Sequence, residues 1–463
     1  MSLFILTMFV VVLWQAYRRK ASFSFASISQ VAVGPRLAVA AAVTLVVVYA
    51  AQLELTAYQA AHDGIRDADF HRLPMALVYN SLEFGGIEHD LISAGIASLA
   101  IIETAALAIL CLHVKSESPL RGLYIAVPAS MLVLSLAAMT LTSSDVFYYA
   151  FYSTVGFHGY DPSTTFTPEY ALINDYTRLL GTIYGPLWIA LNYLAGSFGH
   201  TVVQKIVALR IANFILLFTA LGILRGLRAS KAAQVAFALN PMLWFYFVVN
   251  AHNDLMAIVP CLGGVLAVRR SRTAAVVLVA AAGCIKLPFL IVGCLAFSNV
   301  QKLTLRAVLI LSAVSLCLAA SWIFGGEPYL RHLTGYAHLR STNNGSLITA
   351  AITTGALVVF ALLAAAMLFN RFYSSAALLV ASASPLLFPW YLSWGLPYAL
   401  AGGKNVTAVL LALPLAAVLL DSVYRVDLLA FTIFTLGVSA CAVNVLRDRR
   451  RFRSRVLPAT KNA

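Results

Sequence analysis

Charge is what this chain has least of. Charged residues fill 11% of its 463 positions, against 61% hydrophobic ones. That scarcity excludes an ordinary soluble domain, which cannot hide so much apolar surface. No stretch has the composition of an appended soluble domain either. Cysteine is sparse as well. The six present, Cys111, Cys261, Cys284, Cys294, Cys317 and Cys441, all lie in or beside apolar runs and none in an outward polar loop. This excludes a disulfide framework and a zinc-type ligand spacing. There is no internal repeat at a fixed period, and no low-complexity stretch beyond a basic tail. The opening MSLFILTMFVVVLWQAYRRK lacks the marks of a signal peptide: its basic residues follow the apolar run, and no small-residue cleavage site comes after. It is expected to be a first span with its N-terminus outside.

What the chain does have is many apolar runs, each long enough to cross a bilayer at about 20 residues. They predict an all-α, polytopic transmembrane helical bundle of roughly 13 to 15 membrane segments, some of them short or broken. The net charge of +14 is distributed by loop, which reads against nucleic acid as a partner. Arg18-Arg19-Lys20, Lys115 with Arg121, Arg225 with Arg228 and Lys231, Arg269-Arg270 with Arg272, Lys302 with Arg306, Arg371, Lys404 and the tail Arg447 to Arg455 fall in alternate loops. Placing those loops in the cytoplasm satisfies the positive-inside rule. The acidic residues then sort to the outer face, except Glu103, Glu117 and Asp448. The rule does not require that second asymmetry. It points to an outward face that uses carboxylates, or to one that is simply solvated.

Three stretches break the pattern of plain spans. The first is the apolar piece LLGTIYGPLWIALNYLAGSF, inside the long outward loop from 143 to about 205. A full crossing there would put Arg225, Arg228 and Lys231 outside, so a re-entrant or interfacial segment is expected. Spans are expected near 206–224, 232–250 and 254–268. The second is TAAVVLVAAAGCIKLPFLIVGCLAFSNV, too long for one crossing and interrupted by Lys286 and Pro288. It predicts two short helices meeting at the outer face. The third is SASPLLFPWYLSWGLPYAL, with Pro385, Pro389 and Pro397. Proline frees backbone groups, which a membrane tolerates only where they line a protein-walled cavity. The loop of about 53–90 is expected to lie on the surface as amphipathic helices.

Under this topology the unusual residues converge on the outer boundary. Asp145, in TSSDVFYYAFYS, is placed to act as a base, with Tyr148 and Tyr149 beside it to face a sugar ring or lipid head. The plainer reading is a helix cap next to an interfacial aromatic belt. His252, Asn253 and Asp254 join two spans in a tight turn, suited to a hydroxylated substrate, a phosphate or a divalent cation, or else a capped turn in water. Lys286 in an apolar stretch is costly, and suits a phosphate unless it snorkels. Glu103, mid-span, is expected to pair with a polar group on another helix. The loop from 325 to 346 holds Arg331, His332, His338 and Arg340, and offers Arg331, His338 and Arg340 to an anionic head group, or to solvent. Trp390, Tyr391 and Trp394 suit stacking on a sugar or polyprenyl group, or a belt.

The order of these motifs resembles the GT-C superfamily of integral-membrane glycosyltransferases. The order is an aspartate with tyrosines, then YGPLW, then HND, then a lysine-proline helix pair, then PWYLSWGLP. Within that superfamily it is most similar to bacterial polyprenyl-phosphate-mannose-dependent α-mannosyltransferases, over about residues 120 to 420. It departs from them in carrying three spans before the Asp145 loop, where family members usually have one. The resemblance implies N-terminal transmembrane helices with an outward amphipathic loop over 1–122. It implies a GT-C-like catalytic unit over 123–446 and a basic cytoplasmic tail over 447–463, in a multi-pass protein of the bacterial inner membrane. It implies inverting transfer of a hexose, mannose by the resemblance, from a polyprenyl-phosphate donor to a glycan, lipid or glycolipid acceptor at the outer face. Asp145 would be the general base, and Lys286, Arg331 and Arg340 would bind the donor phosphate. Tyr148, Tyr149, Tyr184, His252, Asn253, Asp254, Trp390 and Tyr391 would bind substrate. No cofactor is expected, with a divalent cation as the alternative. The rival functions are a lipid-linked glycan ligase or polymerase, and a lipid or sugar transporter. A transporter would centre its site at the midplane between repeated halves.

Overall fold

The computed structural model describes residues 33–62, 89–114, 120–138, 145–160 and 181–343, together with Leu410. Trp390, Tyr391 and the third proline-broken stretch lie outside the described residues, as do most of the expected amphipathic loop and the basic tail. The fold is all-α, and every described element is helical. Two N-terminal helices, α1 (Pro35–His62) and α2 (His89–His113), pack on each other, and α3 (Leu123–Ala137) packs on α1. Next come α4 (Asp145–Val155), which runs into a 3-10 turn at Gly156–Tyr160, then α5 (Pro186–Gly196) and α6 (Val202–Gly226). After α7 (Lys231–Ala238) a single turn, Pro241–Leu243, leads into a π-helical segment, Trp244–Val249. The series closes with α8 (Asp254–Ala267), α9 (Arg272–Ile285), α10 (Pro288–Cys294) and α11 (Leu303–Asn343).

Among the described residues three helices are long and apolar enough to cross a membrane: Pro35–Ala57, Val202–Gly226 and Leu303–Leu333. A fourth span results if the pair on either side of Asn240, bent by 42°, is counted as one. Side chains mark the helix starts. The Thr201 hydroxyl accepts from the Gln204 N–H and the Gln204 side chain reaches back, a capping box that opens α6. Ser230 and Ser271 cap α7 and α9 in the simpler way.

The apolar piece in the long loop is α5, with 11 residues. At 1.5 Å per residue it covers about 16 Å, roughly half of a hydrocarbon core. The Lys286 stretch also breaks as expected. Lys286 is extended at the C-cap of α9, and Pro288 opens α10. Glu103, buried on α2, is met by Gln52 of α1: with the amide nitrogen turned inward, it donates to both carboxylate oxygens at 2.9 and 3.1 Å.

One expectation is corrected. The segment from 325 to 346 is not an open loop through its first part, because helix α11 continues to Asn343. The Gly-Gly-Glu-Pro sequence kinks the chain instead of ending it. Gly326 takes φ 59°, and Pro328 sits in the first turn after the kink, where its missing N–H is harmless.

The bundle is tightest where the turn before α5 crosses the end of α9. The Gly185 N–H donates to the Ile285 carbonyl at 3.0 Å, and a Cβ on Gly185 would lie 2.1 Å from the Cys284 carbonyl oxygen. Backbone is unyielding, so only glycine permits this approach. Gly185→Ala is expected to destabilise the protein by about 1–3 kcal/mol, as overpacking does. Gly222→Ala, in open space inside α6, should be neutral or stabilising. Thermal unfolding of both variants in nanodiscs checks the contrast.

Candidate active site

Asp145 is the first residue of α4, and its side chain is 34% exposed. One helical turn on, residues i and i+4 share a face, so the Tyr149 hydroxyl can donate to Asp145 Oδ2, at 3.4 Å. The same hydroxyl lies 3.3 Å from that of Tyr184, in the YGPLW turn. Trp188, one turn into α5, closes the aromatic wall, with its ring centroid 4.4 Å from that of Tyr184. The Asn192 amide donates to the Tyr149 carbonyl at 2.7 Å and so locks α5 against α4.

The HND turn enters from the other side. It follows the π-helical segment, whose last turn is closed twice: the Asn250 backbone N–H and side-chain amide both donate to the Phe245 carbonyl, at 3.1 and 2.9 Å. Ala251 then takes φ 50°, rare for a residue with a Cβ. The turn is not a cap in water, because His252, Asn253 and Asp254 are all buried. His252 Nδ1 stands 3.5 Å from Asp145 Oδ2. Burial pushes its imidazole pKa below the usual range, against the opposing pull of Asp145 and Asp254. The ring is therefore neutral at pH 7. Asn253 is 1% exposed, and neither end of its amide has a hydrogen-bond partner among the described residues.

Asp254 opens α8, and its Oδ1 receives Lys286 Nζ at 2.7 Å. The ammonium lies 5.9 Å from the centroid of the Tyr184 ring, within cation–π reach. The lysine therefore does not snorkel to an interface. It is drawn inward to a buried carboxylate. Among the described residues no three His, Cys, Asp or Glu side chains group as a metal would need.

The structure thus brings six expected residues into one cluster: Asp145, Tyr149, Tyr184, His252, Asp254 and Lys286. Asn253 sits in the same turn, and Tyr148 is half-buried on α4. Arg331 is exposed on α11 beyond the kink. Arg340 belongs to the same helix, with its side chain outside the description. Sequence reasoning missed Gly185, Asn192 and Asn250, which hold the cluster's backbone. A glycine before the proline of YGPLW and an asparagine ahead of HND were the available signals.

Residues 113–301 match a family model described as alpha-(1->6)-mannopyranosyltransferase, N-terminal domain (MptA_B family). That stretch is similar to a mannosyltransferase-family domain. This supports a GT-C-like membrane glycosyltransferase, and the matched span contains every residue of the cluster. No curated protein and no solved structure matches the chain.

The Asp254–Lys286 pair is the buried electrostatic joint between α8 and the α9–α10 break. Breaking such a pair by removing one partner costs about 3–5 kcal/mol, because the other charge stays buried alone. Lys286→Met should be destabilised by that order. The double variant Asp254→Asn with Lys286→Met should recover much of the loss. Urea or thermal unfolding of the single and double variants measures the coupling.

Proposed function

We propose that this mannosyltransferase takes its sugar from a polyprenyl-phosphate donor at the outer face of the membrane and transfers it, with inversion, to a glycan or lipid hydroxyl. Asp145 is the base. It removes the proton from the acceptor hydroxyl as that oxygen attacks the anomeric carbon, and the bond from that carbon to the phosphate oxygen breaks. The observation that carries this reading is the partly open Asp145 carboxylate, which accepts from Tyr149 and lies 3.5 Å from His252 Nδ1 in the cluster that contains Lys286.

Lys286 meets the charge that develops on the leaving phosphate. It is already balanced by Asp254, so it is a fixed dipole aimed by the protein and needs no rearrangement during the reaction. Arg331 and Arg340, on α11, are the further phosphate contacts in this reading. The unsatisfied Asn253 amide suits a sugar hydroxyl, since a buried amide without a partner costs about 1–3 kcal/mol until one arrives. Tyr148 and Tyr184 offer ring faces to the sugar.

A second feature favours a lipid-linked donor over a soluble one. An apolar cavity of about 310 Å³ lies between α5, α9 and α11, lined by Pro186, Leu187, Cys284, Leu316 and Phe324 among others. Pro186 is two residues from Tyr184, and Cys284 two from Lys286. An isoprenoid chain in that cavity would bring its phosphate towards Lys286.

The test is transfer from labelled polyprenyl-phosphate mannose by protein in nanodiscs. Asp145→Asn is expected to lower kcat by about 10²–10⁴-fold, the range for loss of a general base, with folding unchanged. Wild-type turnover by that variant would remove Asp145 from the role. Turnover with nucleotide sugars alone would remove the lipid donor.

A further inference from the structure

The cluster's two acid-bearing segments share one anchor that none of the motifs contains. Arg210, in the middle of α6, is 0% exposed. Its Nε donates to the Val249 carbonyl at 2.8 Å, at the end of the π-helical segment and three residues before His252. Its Nη1 donates to the Ala138 carbonyl at 2.6 Å and the Leu136 carbonyl at 3.3 Å, at the end of α3, the segment that leads to Asp145. Further along the same face, the Asn213 amide donates to the Leu209 carbonyl at 3.1 Å and to the Ala251 carbonyl at 3.4 Å. Ala251 is the residue with the strained φ.

The last carbonyls of a helix have no partner within it and carry the negative end of its dipole. Two such ends converge on one guanidinium here. Its N–H groups form a rigid planar fork, so it fixes the angle between the two ends as well as their distance. A lysine offers only a point charge on a flexible stem. An apolar residue of similar size would pack but release both ends. Burying the cation costs desolvation that an apolar residue would not, so its use lies in geometry.

We propose that Arg210, with Asn213, is the positioning clamp of this mannosyltransferase and sets the approach of His252 to Asp145. It rests on the reading of Asp145 as the base. Arg210 touches neither substrate nor reacting atoms. Its effect is to hold the carboxylate and the imidazole in register, and misplacement of a reacting group by about 1 Å lowers rates by about 10²-fold.

The experiment uses the full chain in nanodiscs, with Arg210→Lys, Arg210→Met, Asn213→Ala and Asp145→Asn. Two readouts are taken: kcat and KM for the lipid donor, and amide hydrogen exchange along the chain. Arg210→Met is expected to lower kcat by about 10²-fold while donor KM stays near that of the wild type, with Arg210→Lys and Asn213→Ala in between. Exchange should rise in peptides covering 145–155 and 245–256 and stay unchanged in α9 and α11. Wild-type kcat in both Arg210 variants, with Asp145→Asn inactive, overturns the clamp and leaves the base standing. Faster exchange spread evenly over every helix overturns it too, since that marks a merely structural residue. If Arg210→Met does not fold, the Arg210→Lys and Asn213→Ala data decide by the same criteria. Should Asp145→Asn remain active, selective exchange at the two segments still supports the clamp, while the base reading falls.

Discussion

Backbone polar groups freed inside an apolar environment must find partners within the protein, and this constraint organises the whole chain. Three interruptions among the described residues are each met by a specific side chain or backbone group. Asn250 closes the π-helical turn, the Gly185 N–H takes the Ile285 carbonyl beside the Lys286 break, and Arg210 gathers the ends of two segments. The interruptions are therefore where polar chemistry collects, and the candidate site stands among them.

The electrostatics follow from the same packing. Asp254 and Lys286 are tolerable at such depth because they face each other, and His252 is tolerable because it is neutral. Asp145 differs from all three in keeping a third of its side chain open. In the proposed role Asp145 would have to meet both acceptor and donor, and its exposure sets it apart from the buried Asp254. The rings of Tyr149, Tyr184 and Trp188 pack together beside Asp145.

Much of this was legible in the sequence, for physical reasons. An acid and a lysine stand out against an apolar background because each is expensive there, and the break at Lys286 to Pro288 is written in residues that cannot continue a helix. What was not legible was pairing. Nothing in the spacing says that Lys286 turns to Asp254 rather than to an interface, or that Gln52 meets Glu103. The kink in α11 was read as a loop because Gly-Gly-Glu-Pro looks like punctuation, whereas one glycine at positive φ lets helix resume at once. Arg210 lies inside the expected span of 206–224, where a lone cation marks a functional position. It escaped notice among the loop arginines that set the topology.

The central claim is that Asp145 and Lys286 serve opposite ends of one reacting bond. The most direct measurement is an experimental structure of the protein in nanodiscs with a non-reactive polyprenyl-phosphonate mannose. The account predicts the phosphonate against Lys286, the isoprenoid chain along the cavity between α5 and α11, and the anomeric carbon facing Asp145. A headgroup bound away from this cluster, or a sugar turned so that Asp145 faces its far side, would contradict it.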